Sequence, residues 1–140
     1  MQTVIGDMIR SLNRKTANGI WLGAMTNELM RQMKSLNLDT QLDEQGVYSD
    51  GTDTPEYSPF TQEIKERQGK IYEHMNFDDT GATRRSIEYE GNILGVEIGI
   101  DDYHDVLIDY SENIIGLTEQ SKESLHEDII KNIQKEITDY

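Results

Sequence analysis

The residues best suited to chemistry in this 140-residue chain stand together at Asp101, Asp102, His104 and Asp105. Three carboxylates and an imidazole so close in sequence could form a set of hard ligands for Mg or Ca at a strand end. The pattern lacks the alternating oxygen ligands and the central glycine of an EF-hand loop. The three histidines, His74, His104 and His126, are far apart, and no HExxH or HxxxH pair exists. The expectation is a polar loop without bound metal. Acids abound, with 27 Asp and Glu against 13 Lys and Arg. Glycosidase chemistry, however, needs two carboxylates at a set separation in an aromatic-rich cleft, and aromatics make up 7% of the chain. No GxSxG, GxxxxGK or GxGxxG segment is present. Cysteine is absent, which removes thiol catalysis, disulfides and cysteine-bound zinc together. The sequence therefore predicts no enzyme and no cofactor.

A second candidate is Arg84-Arg85, two adjacent arginines after an Asp-Thr-Gly turn in an acidic chain. One could pair with Asp78 or Asp79 and stiffen that turn, while the other reaches an acidic face on a neighbour. A local salt-bridged turn is the alternative. The tripeptide Asp79-Thr80-Gly81 also occurs in aspartic proteases. Those carry apolar residues before the Asp and need two such carboxylates, whereas here Phe77-Asp78 precedes and Ala82-Thr83-Arg84-Arg85 follows.

The elements that must hold these residues read as α+β. Val4, Ile5, Met8, Ile9 and Leu12 fit a short amphipathic helix. Asn18-Gly19 breaks it. Ile20, Trp21, Ala24, Met25, Leu29, Met33 and Leu36 then form one longer helical stripe over 20–36, with Trp21 as its anchor in the core or in a subunit contact. Residues 37–60 read as an extended loop, with both prolines and the turn Ser49-Asp50-Gly51. Such a long loop is often a binding element. Thr61 caps a short helix over 62–68 that Gly69 ends. Ile87 and Tyr89 alternate with Glu88 and Glu90, Gly91-Asn92 reads as a turn, and Leu94, Val96, Ile98 and Ile100 alternate on return, so a β-hairpin is expected. Segments around Leu38–Leu42 and Ile71–Met75 could extend it into a small antiparallel sheet. Residues 103–110 leave a short helix open. Thr118 caps a last helix with an apolar stripe at Leu125, Ile129, Ile133 and Ile137, packed on the sheet. One domain results: an N-terminal helical segment 1–36, the loop 37–60, and an α+β core 61–140.

Charge sets the partners. The net charge is −14, and no Lys or Arg falls between Ser35 and Ile64 or between Ser86 and Ser121. Phosphate backbones and acidic membranes repel such a surface. The apolar fraction of 35% and mean hydropathy of −0.69 are low for a compact monomer and favour segments that become buried against partners. No secretory apolar region opens the chain, and no apolar run approaches the ~20 residues of a membrane span. A cytoplasmic setting, or a particle assembled in a cytoplasm, is expected.

Two segments, residues 41–70 (QLDEQGVYSDGTDTPEYSPFTQEIKERQGK) and 78–87 (DDTGATRRSI), share an order of motifs. These are Gln-Leu, Ser-Asp-Gly, Tyr-Ser-Pro-x-Thr, a charged helix ending in Gly, Asp-Thr-Gly, and Arg-Ser-Ile. With IIGLTEQSKESL at 114–125, that order resembles small head–tail joining, neck or tail-completion proteins of tailed bacteriophages, most of all those of Bacteroides-type bacteria, including crAss-like phages. The likeness covers residues 36–137; it departs at Ala82-Thr83-Arg84. The resemblance implies a non-enzymatic virion subunit in a homo-oligomeric ring between portal and tail tube, made in the bacterial host cytoplasm. Its partners would be other neck, portal and tail proteins, with DNA only as passing cargo and no membrane. Subunit contacts are expected at Trp21, Tyr48, Tyr57, Phe60, Arg84, Arg85, Asp101, Asp102 and Asp105, and the acidic stretch 86–112 would line the channel. An acidic inhibitor that mimics DNA is the alternative, and a metal-dependent enzyme built on Asp101, Asp102, His104 and Asp105 is the third reading.

Overall fold

A computed structural model of the chain describes residues 17–78, 82–92, 95–100 and 112–138. The architecture is mixed α+β. In chain order come helices α1 (Ala17–Ala24) and α2 (Asn27–Ser35), a π-helical segment (Leu36–Gln45), α3 (Pro59–Arg67), α4 (Ala82–Ser86), strands β1 (Ile87–Asn92) and β2 (Gly95–Ile100), a 3-10 turn (Glu112–Ile114) and the long helix α5 (Glu119–Thr138).

The apolar stripe expected as one helix over 20–36 is two. Thr26 leaves the helical region at φ −71° and ψ 160°, and its hydroxyl accepts from the Leu29 amide at 3.1 Å. That N-cap starts α2 afresh, which buries Leu29, Met30 and Met33. The stretch expected to be loop or strand after Leu36 instead winds as a π-helix over Leu36–Gln45, in which each backbone bond spans one residue more than in the i→i+4 ladder. It ends at Gly46, in the left-handed region at φ 64°, whose N–H donates to the Gln41 carbonyl. Beyond it the chain makes a tight turn. The Tyr48 amide donates to the Thr52 carbonyl, and Val47 and Asp53 form an isolated antiparallel bridge. Helix α3 is capped by Ser58, not Thr61: the Ser58 hydroxyl accepts from the Thr61 amide at 3.3 Å, with Pro59 in the first turn. No strand forms over 71–75.

The hairpin is present, in a register that pairs Ile87 with Ile100 and Asn92 with Gly95. Gly91-Asn92, read as the turn, therefore lies within the ladder. Among the described residues the sheet has two strands. Its inner face carries Ile87 and Tyr89, both buried, with Ile98 opposite Tyr89 and Val96 opposite Gly91. Met25 closes over Gly91, where a β-carbon would run into the Met25 side chain. Helix α5 starts at the Thr118 cap, whose hydroxyl accepts from the Ser121 amide. It buries Leu125 and packs Ile129 and Ile133 against the shared core. Its main neighbour is α1, where the Asn132 amide donates to the Ala24 carbonyl, a helix-end acceptor that also takes the Thr26 amide. Among the described residues no helix is long and apolar enough to cross a membrane.

Candidate functional site

Helix α3 is built inside out. Phe60 is 72% exposed and Ile64 38% exposed, four residues apart on one outward face. Lys65, on the inward face, is 7% exposed. An amphipathic helix ordinarily does the reverse. The inversion holds because the lysine has partners inside. Its ammonium donates to the Asp78 carbonyl at 2.6 Å and lies 4.7 Å from the centre of the Tyr57 ring, a cation–π contact. Gln62 donates to the Tyr57 carbonyl at 2.8 Å and adds a second tie.

Below α3 a polar cluster joins distant parts of the chain. Asn76 is buried. It accepts from the Tyr57 hydroxyl at 3.1 Å and donates to Asp43 at 2.9 Å. Arg84 closes on the same Asp43 with both prongs of its guanidinium, at 2.6 and 2.9 Å. The side chains of Arg84 and Asp43 are 14% and 24% exposed, so this fork is largely shielded from water. Asp43 lies on the π-helical segment, so this fork joins positions 41 residues apart; Asp79, expected with Asp78 as a partner for one of the two arginines, lies outside the described residues. Phe77, held in the left-handed region at φ 60°, turns the chain between Asn76 and Asp78 and sets its ring 6.2 Å from that of Tyr48.

A second polar cluster faces the core from the same π-helical segment. Asn37 and Gln41 are fully buried. The Asn37 side chain donates to the Ile114 carbonyl at 2.9 Å and accepts from the Gly116 amide at 3.1 Å and the Tyr89 hydroxyl at 2.8 Å. Gln41 donates to the Gly116 carbonyl and accepts from the Thr118 amide, both at 2.9 Å. Burial pushes the Tyr89 phenol well above its ordinary value, because the phenolate would lose its water. These amides clamp the segment from the 3-10 turn to the start of α5.

The outer face of the hairpin is acidic. Glu88, Glu90 and Glu97 are exposed there, and Glu90 stands directly opposite Glu97. Like charges in that position repel. Among the described residues, open grooves flank the core in two places. One, of about 580 Å³, runs from Gln45, Val47 and Asp50 to Thr118 and Glu119. The Asp50 carboxyl at its edge is held below the usual range by hydrogen bonds from the Thr52 hydroxyl and amide. The other, of about 290 Å³, lies between α2 and β1, with Met30, Ile87 and Tyr89 in it and Asn27, Arg31, Lys34 and Glu88 around it.

The expected contact residues separate into groups. Phe60 is presented outward. Tyr48 is buried in the chain's own core, and Arg84 forks onto Asp43. Tyr57 is half-buried beneath Lys65. Trp21 is half-buried and donates from its indole N–H to the Gly95 carbonyl of β2 at 3.3 Å. Arg85 is exposed. Asp101, Asp102 and Asp105, with His104, lie outside the described residues. Among the described residues no group of three or more His, Asp or Glu is placed to hold a metal ion. Sequence reasoning missed Asn37, Gln41 and Lys65. For Lys65 the pattern points the other way, because Phe60 and Ile64 at helical spacing read as the inward face. Neither a family model, nor a curated protein, nor a solved structure matches this chain.

Proposed function

We propose that this chain is a structural subunit that works by binding other protein subunits. Its place would be a ring at the neck or upper tail of a tailed bacteriophage, between portal and tail tube, as the resemblance of residues 36–137 implies. The observation that carries the binding role is α3, which turns Phe60 and Ile64 to solvent while Lys65 is held inside. Burying two such apolar side chains against a neighbour is the kind of gain that subunit contacts use. The outer face of the hairpin supports the ring. Glu88, Glu90 and Glu97 would make a channel wall that repels phosphates and lets DNA slide without grip.

Light scattering of the purified protein at low and moderate salt tests the binding role. A multimer whose mass falls as salt rises is expected, because charge-paired contacts are screened. Peptide mass spectrometry of phage particles from a host that carries the gene tests the place: the chain should be a fixed-copy component. Its absence from particles, together with capture of a host nuclease by the purified protein, would replace this reading with the acidic DNA mimic.

A further inference from the structure

Helix α3 has no buried apolar side chain. Within Pro59–Arg67 only Lys65 is buried. No other helix or strand among the described residues packs broadly against it. What holds α3 down is therefore the Lys65 ammonium, on the Asp78 carbonyl and over the Tyr57 ring, with the Gln62 amide on the Tyr57 carbonyl. The site that receives the lysine belongs to the body of the protein. The Tyr57 hydroxyl and the Asp78 amide both donate to the side-chain oxygen of buried Asn76, which is itself tied to Asp43. Below α3 the segment is closed off: the Met75 amide donates to the Pro55 carbonyl, and the Thr54 amide to the Gly46 carbonyl. At the far end Gly69 lies at φ 71° with open space around it, a backbone position that turns at little steric cost. The kind of anchor matters too. An apolar side chain resists exposure to water, whereas a released ammonium regains its hydration and leaves behind a carbonyl that water can solvate.

We propose that α3 is a latched arm: it opens from the body as one unit while the core stays closed, with Lys65 as the latch and the Tyr57–Asn76–Asp78 site as the keeper. Phe60 and Ile64 ride on the arm, so their exposed face moves with it relative to the core. The device does not depend on which partner the chain binds.

Native-state hydrogen exchange of the whole chain, read by mass spectrometry in urea below the unfolding transition, tests it. In wild type the amides from Gln62 to Gln68 should exchange faster than those of α5 around Leu125. Their rate should depend little on urea, because the opening exposes little surface. Ile87→Val trims the core on β1 and should speed α5 exchange about 2- to 10-fold, while α3 exchange stays unchanged. Lys65→Ala should speed α3 exchange about 10- to 100-fold. Persisting protection of α5 shows that each variant is folded. If Ile87→Val speeds α3 and α5 in step, α3 opens only with the whole fold, and the arm is overturned. Unchanged α3 exchange in Lys65→Ala, or α3 amides that already exchange at the free-peptide rate in wild type, overturns the latch.

Discussion

Replacing Asn37 by alanine should be among the most damaging single changes in the described part of the chain. One side-chain amide serves three buried partners there: the Ile114 carbonyl, the Gly116 amide and the Tyr89 hydroxyl. Alanine can serve none of them. Leaving a buried donor or acceptor unmade costs about 1–3 kcal/mol. Some of the three will recover a partner by local shifts, so the net loss is about 3–6 kcal/mol. That is a large part of the ~5–15 kcal/mol that holds a typical domain folded. Tyr89→Phe is the internal reference. It deletes one hydroxyl while Asn37 keeps its bonds to Ile114 and Gly116, so it should cost only about 1 kcal/mol. Urea unfolding followed by circular dichroism reads both, as shifts in midpoint at constant slope. The reasoning fails if Asn37→Ala loses less than about 1 kcal/mol, or if Tyr89→Phe proves the worse of the two.

Three further outcomes follow from the same contacts. The Tyr89 phenol is raised in the folded state, so its share of stability is present below the unfolded tyrosine value near pH 10 and is lost as pH rises beyond it. Wild type should weaken above about pH 10 in urea titrations more steeply than Tyr89→Phe, and equal slopes would contradict this. Arg84→Lys cannot reproduce the two-pronged grip on Asp43 and should cost about 1–3 kcal/mol, with a coupling to Asp43→Asn that moderate salt scarcely changes, measured by a double-mutant cycle. Gly46→Ala should destabilise more than Gly51→Ala in thermal unfolding. Both glycines have positive φ, at 64° and 85°, but only at Gly46 would the new β-carbon meet a neighbour, the His74 ring at 2.7 Å.

The sequence made the hairpin and the last helix legible for a simple reason. Ile87, Tyr89, Val96 and Ile98 alternate at period two, and Leu125, Ile129 and Ile133 recur at helical spacing, so apolar pattern and structure agree. The π-helical segment was hidden because its inward face is half polar. Asn37 and Gln41 are buried beside Leu38 and Leu42, and a reading based on hydrophobicity assigns such amides to solvent. The break at Met25-Thr26 was masked by an apolar stripe that continues across it, although Thr26 is a good cap residue. Tyr48 read as part of a binding loop because prolines and glycines surround it. The turn they build folds its ring inward against Phe77. Of the expected contact residues, Phe60 is exposed against its apolar spacing with Ile64, and the partner of Arg84 could not be foreseen, because Asp43 is brought to it only by tertiary packing.

The amide clamp also dictates when the protein can take shape during synthesis. Asn37 and Gln41 leave the ribosome long before the groups they bind: Tyr89 follows Asn37 by 52 residues, and Ile114, Gly116 and Thr118 follow 75 to 79 residues later. Until Thr118 emerges, Gln41 would have to enter the core without partners and Asn37 with the Tyr89 hydroxyl alone, each unmade bond carrying the cost of a buried polar group. The early helices must therefore wait, solvated and open, and the core closes in one late step once Thr118 has emerged. A nascent chain halted before Glu112 would be a substrate for proteases and chaperones, not a folding unit.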